Sequence, residues 1–270
     1  MPRPASPGNA GEPVARSSRT TLVRRNEWTV LLGLLVVVVL AAVLPGLEQP
    51  AQYHAFADTR SIDGVRNGAN VLSNAGFVLA ALAIALGLAR DTPLSRVSRA
   101  SLAVVALGLL LTAAGSAYYH ASPDNHTLFW DRLPLTLAMA GIVAAALSQR
   151  ISARAGSLAL VALAVLGPLT VLYWRATDNL MPYVVLQGGE MLALLLVVAV
   201  TARRTDPLAW WWLIAWYAAA KAAEFLDAPI LSLTQGLVSG HTMKHLLAAL
   251  AAFGLAYPLW RARPAMPASG

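Results

Sequence analysis

Hydrophobic positions along this chain come in long unbroken blocks. They show neither the one-sided stripe of a surface helix nor the alternation of a half-buried strand. Charge-free runs of about 17–22 residues recur, the length that crosses a bilayer as an α-helix. Eight spans are predicted, at 28–44, 71–88, 101–119, 133–147, 156–173, 183–201, 209–226 and 241–260. Pro and Gly punctuate the joints, as at Pro45-Gly46, Pro93, Pro123, Pro182, Pro207 and Pro229. The spans are rich in Ala, Leu and Val, with small residues throughout that suit close helix packing in lipid.

Composition turns this pattern into a class. Of the 270 residues, 57% are hydrophobic and only 12% charged, and the mean hydropathy is +0.60. An ordinary soluble domain carries roughly 25% charge, so a soluble fold is excluded. The expected fold is an all-α integral membrane protein. The absence of cysteine excludes disulfides, iron–sulfur clusters and thiolate metal sites.

The net charge of +7 raises the question of nucleic acid, and the distribution of arginines answers it. With eight spans, one set of helix ends holds fourteen arginines between Arg3 and Arg263, and the opposite set only Arg60, Arg66, Arg132 and Arg175. Arginine marks the cytoplasmic side, so both termini are expected there. The basic charge is then topology, with no nucleic-acid role. Residues 1–26 read as a disordered basic tail. The run at 27–46 is too long, and lacks the small-residue cleavage site, for a signal peptide, so a retained extra helix is expected.

Polar residues inside spans are costly in lipid and are site candidates by default. Here they gather at one end. The third span runs outward to Ser116 and His120, the fourth begins outside with Asp131, and the eighth begins outside with His241 and His245. His241 and His245 are i,i+4, so both imidazoles leave one helix face and can share one Zn²⁺ at about 2.0–2.1 Å. His120 would complete a three-His set, leaving a position for water, whose pKa zinc lowers to about 7. A neighbouring carboxylate such as Asp131 could take the proton. Singly, each residue has a plainer reading. The His pair could be interfacial polarity, Ser116 a packing residue, and Asp131 a helix cap or a partner of Arg132. His54 and His126 read as solvated loop residues, and Tyr118, Tyr119 and Trp130 as an interfacial aromatic belt.

The pattern Ser116-x₃-His120, then Asp131, then His241-x₃-His245 resembles the alkaline ceramidases, members of a superfamily of seven-helix membrane hydrolases known as CREST. Ser73-Asn74 resembles a Ser-Asn pair near the start of that family's first helix, and the stretch 115–135 is most similar to the family's bacterial branch. The likeness covers roughly 73–257. It implies a seven-helix hydrolase domain at 70–261 behind the extra helix. It also implies zinc on His120, His241 and His245, Asp131 as the base for the zinc-bound water, and Ser116 as an oxyanion donor. The implied reaction is hydrolysis of the N-acyl bond of ceramide or a related lipid amide. The implied location is a bacterial inner membrane, with the site near the extracytoplasmic face.

The chain departs from the family in places. Lys244 stands where the family tends to have Trp, and the family's acidic calcium-binding segment is not reproduced. Asp58, Asp63 and Asn67 could bind Ca²⁺ or structure a loop, and the loop is favoured. Lys221, Glu224 and Asp227 lie near the outer end of the seventh span and Glu190 in the sixth. A Lys221–Glu224 pair that docks helices is the simplest reading, and a headgroup role the alternative. Two other functions stay open: the same zinc chemistry on another lipid amide or ester, and a receptor-like protein with structural zinc. No protein partner can be read from the sequence.

Overall fold

A computed structural model describes residues 15–201 and 207–261. The regular structure in them is helical apart from one isolated bridge, Ile62 to Val65. The helices are α1 (Ala15–Val43), α2 (Gly68–Ser73), α3 (Ala75–Leu88), α4 (Arg96–Ala121), α5 (Asn125–Arg150), α6 (Ala153–Thr177), α7 (Met181–Val200), α8 (Trp210–Phe225), α9 (Asp227–Leu233) and α10 (Gly240–Arg261). Among the described residues, six helical stretches are long and apolar enough to cross a membrane: Gly68–Leu88, which joins α2 to α3, and α4, α5, α6, α7 and α10. Two expected spans correspond to shorter helices, the Glu27–Val43 part of α1 and α8. The chain is thus an all-α multi-pass membrane protein, and six of the eight expected spans correspond to helices of full membrane-crossing length among the described residues.

Helix ends are set by caps rather than by the limits of the apolar runs. Ser95 accepts from Ser98 N at 3.1 Å to start α4, and Ser152 accepts from Ala155 N at 3.1 Å to start α6. Asp124 and Thr127 form a reciprocal capping box that starts α5. Asp124 is held below the usual carboxylate range by the Thr127 N–H. α5 therefore begins well before the expected 133–147 window and carries Pro134 inside it. At the other end of the chain, α1 begins at Ala15. Residues 15–26, expected within the tail, continue the helix, since no Pro or Gly interrupts propagation there. The tail expectation for 1–14 lies outside the described residues.

The helices close into a ring. α3 packs on α4, α4 on α5, α5 on α6 and α7, α7 on α8, α8 on α10, and α10 back on α3, while α1 leans on α6 and α7. Buried Leu102, Val105, Ala140, Ala144 and Leu255 fill the interior. Leu79, Leu107, Val161, Leu192 and Leu246 face outward, as lipid-facing positions must. Arg96, Arg150 and Arg261 sit at one end of α4, α5 and α10. The opposite ends of those same helices carry His120, Asp131 and His241.

Candidate metal centre

α4 delivers His120 in its last turn, and α10 delivers His241 and His245 in its first two turns. Their rings lie 4.8–5.0 Å apart, centroid to centroid, and one nitrogen from each lies within 4.8 Å of the others. All three are buried, and together they form a group that could hold a metal ion.

The surroundings of His245 favour ligation. Its Nδ1 lies 2.8 Å from Ser73 Oγ and 3.2 Å from the Asn70 carbonyl. The Ser73 hydroxyl already donates to that carbonyl at 2.8 Å, so the shared proton belongs to Nδ1. Nε2 is then left with a free lone pair, as a metal ligand requires. The Asn70 carbonyl is available because the chain breaks between α2 and α3: Asn74 N bonds Val71 and Leu72 instead. Asn70 Oδ1 accepts from the Thr242 hydroxyl at 2.6 Å, tying α2 to α10. His120 is fastened through its carbonyl, which accepts from Asn67 Nδ2 at 2.8 Å. Its ring Nδ1 is buried with no hydrogen-bond partner. An orphaned imidazole nitrogen among two other neutral donors fits a metal better than an apolar core.

A loop covers the centre. Phe56 packs its ring 4.7 Å from His120 and 4.6 Å from His241. The Asp227 carboxylate latches the loop to α10, one oxygen accepting from Ala57 N at 2.9 Å and the other from His241 N at 2.7 Å. Gly240 permits this approach, since a Cβ there would meet the Ala223 carbonyl at 2.1 Å and Asp227 Cα at 2.7 Å. Arg60 clasps both oxygens of Asp58, at 2.8 and 2.7 Å, and also donates to the Leu237 carbonyl at 3.3 Å. The guanidinium holds the Asp58 carboxyl below the usual carboxylate range. In this arrangement Asp58 structures the loop, while Asp63 is exposed and Asn67 turns inward to His120.

Ser116 lies one turn below His120 on α4, and its hydroxyl interacts with the Asp131 carboxylate. Gly115 brings the two helices together here. A Cβ at Gly115 would sit 1.9 Å from the Trp130 carbonyl oxygen. That carbonyl lacks a helical donor because Pro134 has no N–H, and the bare Cα of Gly115 fills the gap.

Other candidates fall into different places. His54, expected to be solvated, is bonded to the Tyr119 hydroxyl and to Asn125 Oδ1, both at 3.0 Å; His126 is exposed. Lys221 pairs with Glu224, but Glu224 also holds Lys244 at 2.6 Å, so the pair is a triad linking α8 to α10. Asp227 serves the latch, not that triad. Glu190 is buried with Oε1 unpartnered, near Thr136, Tyr183 and Gln187. The support around His245 was missed, although Asn70, Ser73 and Asn74, at i, i+3 and i+4 in an apolar run, carried the signal. Phe56 and Asp227 gave no local sign.

Fold and site together define a helical membrane protein with a buried three-histidine centre at one end of the bundle. The family model described as Ceramidase matches residues 65–262, and the chain belongs to the ceramidase family. Membership brings with it hydrolysis of ceramide-type amide bonds and a lipid substrate in the membrane. Comparison with curated proteins returns no match.

Proposed function

We propose that this protein is a zinc-dependent intramembrane amidase that splits an N-acyl lipid into fatty acid and amine. The observation that carries the reading is the three-histidine cluster, with His245 held in the tautomer that frees Nε2. His120, His241 and His245 hold the ion, a neutral set common in catalytic zinc sites. When bound there, zinc acidifies a water toward neutral pH and polarises the amide carbonyl.

The chain's own residues do the rest. Asp131 takes the proton of the attacking water as its oxygen bonds to the carbonyl carbon. It returns that proton to the amide nitrogen as the C–N bond breaks, so a neutral amine and an acid leave. Ser116, beside Asp131, turns its hydroxyl to the oxyanion that forms on the carbonyl oxygen. Phe56 and the loop above it keep bulk water from the centre. The site lies at the end of the bundle opposite Arg96, Arg150 and Arg261, which supports a reading in which it faces the extracytoplasmic side of an inner membrane, with the α1 and α10 termini inside.

The test is zinc content alongside ceramide hydrolysis in Asp131→Asn and His245→Ala. Asp131→Asn should keep zinc and lose about 10²–10⁴ in turnover, whereas His245→Ala should lose both. Retained turnover in Asp131→Asn removes it as the base, and full zinc in His245→Ala removes the metal assignment.

A further inference from the structure

One buried acidic side chain takes no part in the chemistry above. Glu190 lies on α7 and is 5% exposed. Its Oε1 is buried with no hydrogen-bond partner, and it forms no ion pair among the described residues. The side chain borders a narrow cleft between α5 and α7, lined on its polar side by Thr136, Tyr183 and Gln187. Tyr183, Gln187 and Glu190 are spaced i, i+4, i+7 and so share one face of α7. A carboxyl group within a span is costly, and one that served only to tie helices together would have a partner.

The cleft opens toward the centre. Arg132 lies over the Tyr183 ring at 5.2 Å, and Tyr183 interacts electrostatically with Asp131. Tyr217 on α8 interacts in the same way with Glu190 and with Lys221, Glu224 and Lys244. Glu190 thus faces the interior that Asp131 and the triad share. Both α5 and α7 start at the histidine end and run away from it, and Arg150 at the far end of α5 bonds the Thr201 carbonyl just after α7. Depth below the centre can therefore be read along each helix. Thr136 is five residues beyond Asp131, about 7.5 Å down α5. Glu190 is seven residues beyond Tyr183, about 10.5 Å down α7. A carbon chain advances about 1.3 Å per atom, so the two rulers put this polar spot about six to eight carbons from the scissile amide.

We infer that one chain of the substrate carries a hydroxyl about six to eight carbons from its amide, and that Glu190 is the residue that recognises it; this rests on the amidase reading above. A hydroxyl suits the spot because it can donate to Glu190 Oε1 and accept from the Gln187 amide. The cleft is too narrow for a headgroup and fits a single chain. An unsubstituted chain would leave Oε1 without a donor, and that loss is what discriminates between the two lipids.

The experiment uses the full-length, zinc-loaded protein in mixed micelles with four lipids built on one ceramide. They are the parent and three hydroxylated versions, one at the second acyl carbon, one at about the eighth acyl carbon and one at about the eighth carbon of the amine half. The wild type should favour a mid-chain hydroxylated lipid over the parent in kcat/KM by about tenfold, and the favoured lipid tells the acyl half from the amine half. The hydroxyl at the second carbon should bring no gain. Glu190→Leu should lower the ratio to one, and Glu190→Gln, which still accepts and donates, should retain most of it. Equal use of all four lipids by the wild type overturns the inference without recourse to any variant. So does an equal loss on every lipid in Glu190→Leu, which would mark the carboxyl as a packing element of α7. If no amide is cleaved, equilibrium binding of the same lipids decides. A Glu190-dependent preference for the mid-chain hydroxyl keeps the inference and sinks the amidase reading, and binding indifferent to the hydroxyl sinks the inference.

Discussion

Gly115→Ala tests whether the approach of α4 to α5 sets the catalytic geometry. In an isolated helix this change favours folding by about 0.5–1 kcal/mol, because Gly loses more backbone entropy. Here the new Cβ would lie 1.9 Å from the Trp130 oxygen, 2.7 Å from the Trp130 carbonyl carbon and 3.3 Å from Asp131 N. Real Cβ contacts do not fall below 3.0 Å, so the helices must part by at least 3.0 − 1.9, or about 1.1 Å. The obstacle is backbone and cannot swing aside. Overpacking of this kind costs about 1–3 kcal/mol, more than the helical gain. The displacement falls on Ser116 and Asp131, neighbours of the two clashing positions. A misplacement of about 1 Å in a catalytic group typically costs about 10² in rate. The assay is amide hydrolysis at saturating zinc, with a thermal melt beside it. Turnover should fall about a hundredfold and the melting temperature should drop. Unchanged turnover with an unchanged melt would falsify the close-approach argument, because the clash would have been absorbed elsewhere.

Two further changes probe the supports of the centre. Ser73→Ala removes the hydroxyl that receives the His245 Nδ1 proton, leaving the Asn70 carbonyl alone. Zinc affinity, measured by competition with a chelator, should weaken about 10–100-fold, the usual cost of losing such a partner; an unchanged affinity would show that Asn70 suffices. Asp227→Asn keeps the shape but turns an NH₂ toward either Ala57 N or His241 N. Losing one bond to a charged acceptor should cost about 1.5–3 kcal/mol and speed amide exchange at Ala57. Unaltered exchange there would mean that Phe56 holds the loop by packing alone.

The class of fold was legible because its signal is local. Runs of apolar residues decide whether a segment prefers lipid, and each helix satisfies its own backbone, so no tertiary knowledge is needed. The same locality limited the reading. α5 outran its apolar window because Asp124 and Thr127 cap it earlier, and α8 proved shorter than its hydrophobic run. For the centre, the i,i+4 spacing of His241 and His245 dictates a shared face, and the arginine distribution put His120 at the same end.

Tertiary structure alone decided what surrounds those histidines. The tautomer of His245 depends on Ser73 and Asn70, 172 and 175 positions away. The Asp227 latch to His241 N reaches back 170 positions to Ala57. Lys244 looked like a departure at one site, and Lys221–Glu224 like a self-contained pair. Packing of α8 on α10 made them a single triad beside the histidines. Periodicity and spacing are properties of one helix, while partners are chosen by how helices meet. That meeting turns on Gly115 and Gly240, whose missing side chains no hydrophobic pattern records.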